Sequence, residues 1–155
     1  MLGRVEWKGA TKVDCFNEAG DCLEIDWDNG PTPVQVTLQM IGACSLADIQ
    51  TGLKDRKVEK LWIELDAERA TQSPKVFTKV HMVYHVDGEA PVKLVKRLVE
   101  KSHETYCTVS NMFKSTVQIT SSVVINGEVC CRKHLHRFGE QIPEYVMERY
   151  PTAWD

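Results

Sequence analysis

The chain has 155 residues, with 19 basic and 22 acidic side chains and a formal net charge of −3, long enough to bury a core without disulfide staples and lacking a basic footprint for nucleic acid. No apolar run nears the roughly 18 residues needed to cross a bilayer, and the opening MLGRVEWKG has no apolar secretory core, so a cytoplasmic protein with neither membrane nor nucleic-acid partner is expected. Six cysteines at uneven spacing, with no secretory signal, are expected as reduced thiols. In chain order, Leu2 to Trp7, Thr11 to Phe16 and Cys22 to Trp27 predict a β-meander, the last two strands flanking the turn-rich loop Asn17-Glu18-Ala19-Gly20. Such a hairpin brings Cys15 and Cys22 near one another; two unbridged strand cysteines are the expectation in a reducing compartment. Asp28-Asn29-Gly30-Pro31 breaks the chain before the next element.

Thr32 to Leu53 predicts one long helix of about 30 Å. Thr32 is a favoured N-cap, Pro33 fits the first helical position, and Gln35 completes a T-x-x-Q capping box. Apolar residues from Val36 to Ile49 cover nearly its whole circumference, which predicts a central helix covered on several sides and, with few amphipathic elements to cover it, a homodimer. Cys44 lies in its middle, among the small residues Gly42, Ala43 and Ser45. Val58 to Ala70 and Lys75 to Val86 alternate as strands around a Ser73-Pro74 turn and predict an antiparallel hairpin. Asp87-Gly88 turns the chain, and Pro91 opens an amphipathic helix running to about Glu104. Tyr106 to Phe113 predicts a break and a short third helix with Cys107 in or near its first turn. Thr116 to Ile125 is a last strand ended by Asn126-Gly127, and the tail 128–155 is polar and aromatic, with a helix expected around Pro143 to Tyr150. Strands segregated from helices predict an α+β fold of antiparallel sheets packed on the long helix. The expected organisation is one domain over 1–127 with 128–155 as a C-terminal extension packed on it.

Few side-chain groupings carry chemistry. His81 and His85 share a strand face about 13 Å apart, too far to chelate one ion, and are expected at the surface or an interface. Cys130-Cys131-x-x-His134-x-His136 has metal-ligand residue types, but adjacent cysteines rarely share one zinc and no second pair exists, so no metal or cofactor is expected. Asp66 and Glu68 read as solvated charge, and no G-x-S-x-G elbow supports a serine hydrolase. The thiols remain. A cysteine in a helix's first turn sees unpaired N–H groups, which favour the thiolate, and this is the expectation for Cys107.

Pro33, a helix reaching Gly42-Ala43-Cys44-Ser45, a strand pair, a helix and then Tyr106-Cys107-Thr108-Val109-Ser110 together resemble the superfamily of osmotically inducible protein C and the organic hydroperoxide resistance proteins (OsmC/Ohr), over about Gly3 to Gly127. The resemblance implies an intertwined α+β homodimer and a catalytic pair in which Cys44 is peroxidatic and Cys107 resolves it. It further implies an organic hydroperoxide as substrate and an external dithiol as reductant. One departure stands out: the family's peroxidases carry a glutamate directly after the helix-starting proline, holding an arginine over the reactive sulfur. Here that position is Val34, and no arginine lies between Arg4 and Arg56. The departure motivates the other function considered, an OsmC-like protein that binds a small ligand or partner with slow or no peroxidase activity.

Overall fold

Turn chemistry shapes the first part of the chain. In the computed structural model, which describes residues 1–130 and 148–149, strands β1 (Gly3–Gly9), β2 (Lys12–Asn17) and β3 (Cys22–Asp26) form an antiparallel meander. Gly9 and Ala10 both take positive φ at its first turn. Asn17 Oδ1 holds the second loop by accepting the N–H groups of Ala19 and Asp21 at 3.0 and 2.9 Å. Cys15 pairs with Leu23 and Phe16 with Cys22. Because side chains directly opposite share a face and neighbours alternate, Cys15 and Cys22 point to opposite faces of the sheet. Their nearness along the hairpin therefore does not become a bridge.

Helix α1 spans Pro33–Gly52, and its start is the expected capping box. Thr32 N–H donates to Gln35 Oε1 at 2.8 Å and Gln35 N–H to Thr32 Oγ1 at 3.3 Å. Within one chain this helix buries a single face: Ile41, Ser45 and Ile49 are buried, whereas Met40, Ala43 and Ala47 are exposed. The i, i+4 spacing of the buried three is a single stripe. The chain clusters into two compact units, Met1–Gln39 and a second beginning at Met40.

In the second unit, β4 (Lys57–Arg69), β5 (Phe77–Glu89), β6 (Gln118–Ile125) and β7 (Glu128–Val129) form one sheet in that order. β4 and β5 pair antiparallel as expected. β5 and β6 pair parallel, so the sheet is mixed rather than wholly antiparallel. The crossover that a parallel pair requires is supplied by α2 (Val92–Lys101), a π-helical turn (Ser102–Tyr106) and α3 (Thr108–Phe113). The helix expected to reach Glu104 thus ends early. Asn126 and Gly127 take φ of 50° and 82°, the paired positive values of a type I′ hairpin turn into β7.

Having neighbours on both sides, β5 is buried without interruption from Val80 to Val86. This corrects the surface placement expected for His81 and His85. His81 is 8% exposed and His85 1%; His81 Nδ1 bonds Thr120 Oγ1 at 2.6 Å and Nε2 bonds Ser122 Oγ at 2.9 Å. His85 stacks on Trp62 with ring centroids 4.4 Å apart and faces Glu64 at 3.5 Å. Close approach needs glycine at two places on α1, since a Cβ on Gly42 would meet Leu65 Cδ1 of β4 at 3.0 Å and one on Gly52 would meet Leu98 Cδ2 of α2 at 2.3 Å. The tail helix expected around Pro143 to Tyr150 and the groups Cys131, His134 and His136 lie outside the described residues, apart from Glu148 and Arg149. Arg149 Nη1 lies 3.6 Å from Glu64 Oε2. No group of three or more potential metal ligands occurs among the described residues.

Candidate thiol site

The sequence-predicted pair comes together. Cys44 sits at the edge of the buried stripe of α1, partly exposed, beside the buried Ser45. Cys107 is the N-cap of α3, with no solvent exposure, and its sulfur accepts the Ser110 N–H at 3.4 Å. The two thiols are near enough for Cys44 to act on the ionisation of Cys107, and both are free. Cys107 Sγ also faces the carbonyl of Ile41, one turn before Cys44 on α1, at 4.0 Å.

The expectation that a first-turn position would favour the Cys107 thiolate is reversed. Burial pushes the Cys107 thiol up; the Ser110 hydrogen bonds work against this, and the Cys44 sulfur adds to it. Desolvation of the charged form outweighs the capping N–H. The site is thus asymmetric, with a solvent-reachable thiol and a buried one kept protonated. Among the described residues no lysine or arginine hydrogen-bonds either sulfur.

Beside the thiols runs a buried polar chain that sequence reasoning did not find. Ser102 Oγ donates to Asp48 Oδ2 at 2.7 Å, Ser45 Oγ and Ser102 Oγ lie 2.8 Å apart, Ser45 Oγ and Tyr84 Oη 2.5 Å apart, and Tyr84 Oη lies 3.0 Å from His103 Nε2. Ser45, Tyr84 and Ser102 have no solvent exposure, while Asp48 is partly exposed. Burial pushes the Tyr84 hydroxyl well above its ordinary range, and the nearby Cys107 and Asp48 add to this against the Ser45 hydrogen bond. Burial also lowers His103 to about 4, against a smaller opposing pull from Asp48. The imidazole is therefore neutral at physiological pH. A signal for this chain was present in the sequence. Ser45 falls between Ile41 and Ile49 on the stripe of α1, and Ser102 continues the Val95, Val99 stripe of α2, so both hydroxyls occupy positions that face a core.

A mixed sheet with a helical crossover, carrying a free cysteine pair between a long helix and the crossover, defines a dithiol protein of α+β class. Residues 26–122 match the OsmC family, the OsmC-like proteins, and the chain belongs to that family. It is 30% identical over 130 residues to Protein YhfA of Escherichia coli K12, covering 79% of this chain and 96% of that protein. Among solved structures, it is similar to a hypothetical protein from Aquifex aeolicus VF5 with a TM-score of 0.70 and 24% identity, over 80% of this chain and 96% of that one. It is also similar in fold to the organic hydroperoxide resistance protein OhrB of Bacillus subtilis, with a TM-score of 0.55 and 15% identity, over 80% and 98% of the two chains. No helix among the described residues is long and apolar enough to cross a membrane.

Proposed function

We propose that this protein is a cytoplasmic, homodimeric, thiol-dependent peroxidase that reduces organic hydroperoxides. The observation that carries the reading is the nearness of two free thiols with unequal exposure, Cys44 partly exposed and Cys107 buried. In this reading Cys44 thiolate attacks the distal oxygen of the hydroperoxide. The O–O bond breaks, the alcohol leaves with a proton, and Cys44 becomes a sulfenic acid. Cys107 then attacks the Cys44 sulfur; the S–O bond breaks, water leaves, and a disulfide joins the pair. Two thiols of an external dithiol reduce it by exchange and are themselves oxidised. A buried, protonated resolving thiol suits this order, because it does not compete for the peroxide and acts only when an electrophilic sulfur is placed beside it.

One observation favours a second reading, an OsmC-like protein that binds a small ligand or partner: neither sulfur is hydrogen-bonded by a lysine or arginine among the described residues, and a cationic neighbour is the usual way to lower a thiol pKa. The experiment that decides is consumption of cumene hydroperoxide or tert-butyl hydroperoxide in the presence of a small dithiol. Catalytic loss of peroxide that disappears in Cys44→Ser supports the peroxidase. No turnover in the wild-type protein, with ligand-dependent melting instead, supports the binding protein.

A further inference from the structure

Ser110 lies three residues after the N-cap Cys107, the position from which a capping-box side chain reaches back to the N-cap N–H. That donor is already taken, since Cys107 N–H donates to Ser102 O at 2.8 Å. The Cys107 carbonyl is taken as well: it accepts Asn111 N–H at 3.0 Å and Asn111 Nδ2 at 2.9 Å. Ser110 is 2% exposed, and its Oγ is a buried atom with no hydrogen-bond partner among the described residues. A hydroxyl buried in this way costs stability unless something else uses it. The nearby group able to use it is the Cys107 sulfur, which accepts the Ser110 N–H at 3.4 Å and whose ionised form both the N–H and the hydroxyl of Ser110 favour. A thiol sulfur is a weak acceptor and an ionised group a strong one. The hydroxyl therefore gains a full partner only when Cys107 loses its proton.

We propose that Ser110 makes Cys107 a nucleophile: when the thiol gives up its proton, the Ser110 hydroxyl donates to the sulfur and, together with the Ser110 N–H, holds the thiolate that attacks Cys44. The assignment rests on the thiol chemistry proposed above. In that chemistry the Cys107 S–H proton is lost, the sulfur's electron pair forms the bond to Cys44, the S–O bond of the Cys44 sulfenic acid breaks, and the departing hydroxide takes up a proton as water. The sulfenic acid is the oxidant, the Cys107 thiol is what it oxidises, and Ser110 keeps its own proton throughout. The Cys107 S–H faces the Ile41 carbonyl of α1 at 4.0 Å, so the same sulfur meets the helix that carries its target and the residue that holds its charge. The titratable groups that face Cys107 are Cys44 from α1 and Tyr84 from β5. Neither brings the positive charge that ordinarily lowers a thiol pKa, and two hydrogen bonds from one residue take its place.

The test does not need a hydroperoxide. In a protein with Cys15, Cys22, Cys130 and Cys131 changed to Ser, adding Cys44→Ser leaves Cys107 as the one thiol, and the ultraviolet absorbance of its thiolate gives its titration midpoint. A hydrogen bond to an ionised group changes its ionisation about tenfold or more. Ser110→Ala should therefore raise the midpoint by about one pH unit, and Ser110→Thr, which keeps the hydroxyl, should not. With Cys44 present, an aromatic disulfide reagent converts Cys44 to a mixed disulfide. Cys107 thiolate then attacks the Cys44 sulfur, one S–S bond forms as the other breaks, the coloured aryl thiolate leaves, and the Cys107 proton passes to the buffer. A thiolate about tenfold scarcer but about threefold more nucleophilic makes this closure about threefold slower in Ser110→Ala near pH ~7. Because the lost hydroxyl has no partner in the reduced protein, the urea midpoint of reduced Ser110→Ala should be unchanged or higher, whereas loss of a packing residue would lower it. An unmoved Cys107 titration in Ser110→Ala, or a Ser110→Thr protein that titrates like Ser110→Ala, overturns the assignment. Absent hydroperoxide turnover with the Ser110 signatures intact overturns only the peroxidase reading.

Discussion

Acid should unfold this protein through two histidines that the fold desolvates, the buried His81 and the partly exposed His103, before its carboxylates protonate. His81 and His103 are both lowered from 6.5 to about 4, chiefly by burial, with Asp66 and Asp48 respectively opposing. The native state therefore holds them neutral where the unfolded chain would bind a proton to each. Stability from a depressed pKa is fully present above 6.5 and is lost as pH falls toward about 4. The gap is worth about 3 kcal/mol per histidine, about 6 kcal/mol for the two. That is a large part of the 5–15 kcal/mol typical of a whole domain. His85, lowered by burial against the pull of Glu64, acts in the same direction. Asp26, held down to about 2 first by the Thr11 hydrogen bond, gives stability that is present above 3.8 and lost only as pH falls toward about 2, so the fall above about pH 4 belongs to the histidines. Urea unfolding followed by circular dichroism from about pH 7.5 to about pH 4.5 measures the fall. His81→Gln keeps hydrogen-bonding groups near Thr120 and Ser122 but cannot titrate, and should remove close to half of the pH dependence. Stability that is flat across this range, or an undiminished fall in His81→Gln, would refute the reasoning.

Gly88→Ala should lower stability by about 2 kcal/mol or more in the same urea assay, because Gly88 takes φ +126° and an added Cβ would meet Lys57 O at 2.3 Å. Cys44→Ser should abolish hydroperoxide consumption, while Cys15→Ser, Cys22→Ser and Cys130→Ser leave it nearly intact; equal loss in Cys130→Ser would move the chemistry away from the pair. A peptide digest after mild hydroperoxide treatment should contain a Cys44–Cys107 disulfide and no Cys15–Cys22 disulfide, since the latter two occupy opposite faces of their sheet. In Cys107→Ser, Cys44 should be trapped as a sulfenic acid that over-oxidises; both thiols free after treatment of the wild type would remove the redox pair.

Local chemistry was the legible part of the sequence. Thr32 and Gln35 marked the start of α1, Asn126-Gly127 marked the last hairpin, and the alternation from Leu61 to Glu68 marked a half-buried strand. Each of these is decided by residues within a few positions of one another. The parallel pairing of β5 with β6 was not legible, because it depends on where a crossover of more than twenty residues returns, and with it went the burial of His81 and His85. A histidine in an alternating strand looks like a surface residue until the strand gains neighbours on both sides. The buried stretch Val80 to Val86 did carry a hint, since Val83 interrupts the polar set between His81 and His85 while the other set is wholly apolar or aromatic. Cys44 and Cys107 were found through a family resemblance. The buried polar chain was missed because Ser45 was read only as a small residue beside Cys44 and Ser102 was not singled out.

The π-helical turn explains why one short segment supplies both a buried hydroxyl of the polar chain and the second thiol. Ser102 and Cys107 are five residues apart, which in an α-helix would set them about 140° apart around the axis. The wider turn closes instead with a bond from Cys107 N–H to Ser102 O at 2.8 Å, bringing the two residues back to one side. Opposite them on α1, Cys44 and Ser45 are consecutive, and two rungs form between the segments: Ser45 to Ser102 at 2.8 Å, and Cys44 to Cys107. The hydroxyl rung is wholly buried, so it fixes the register of the thiol rung. A one-residue rotation of α1 would place Cys44 against Ser102 and take Ser45 away, costing Tyr84 and Ser102 their Ser45 partner at up to about 1–3 kcal/mol for each buried group. The polar chain thus does for position what a disulfide would do by covalent constraint, while leaving both sulfurs reduced.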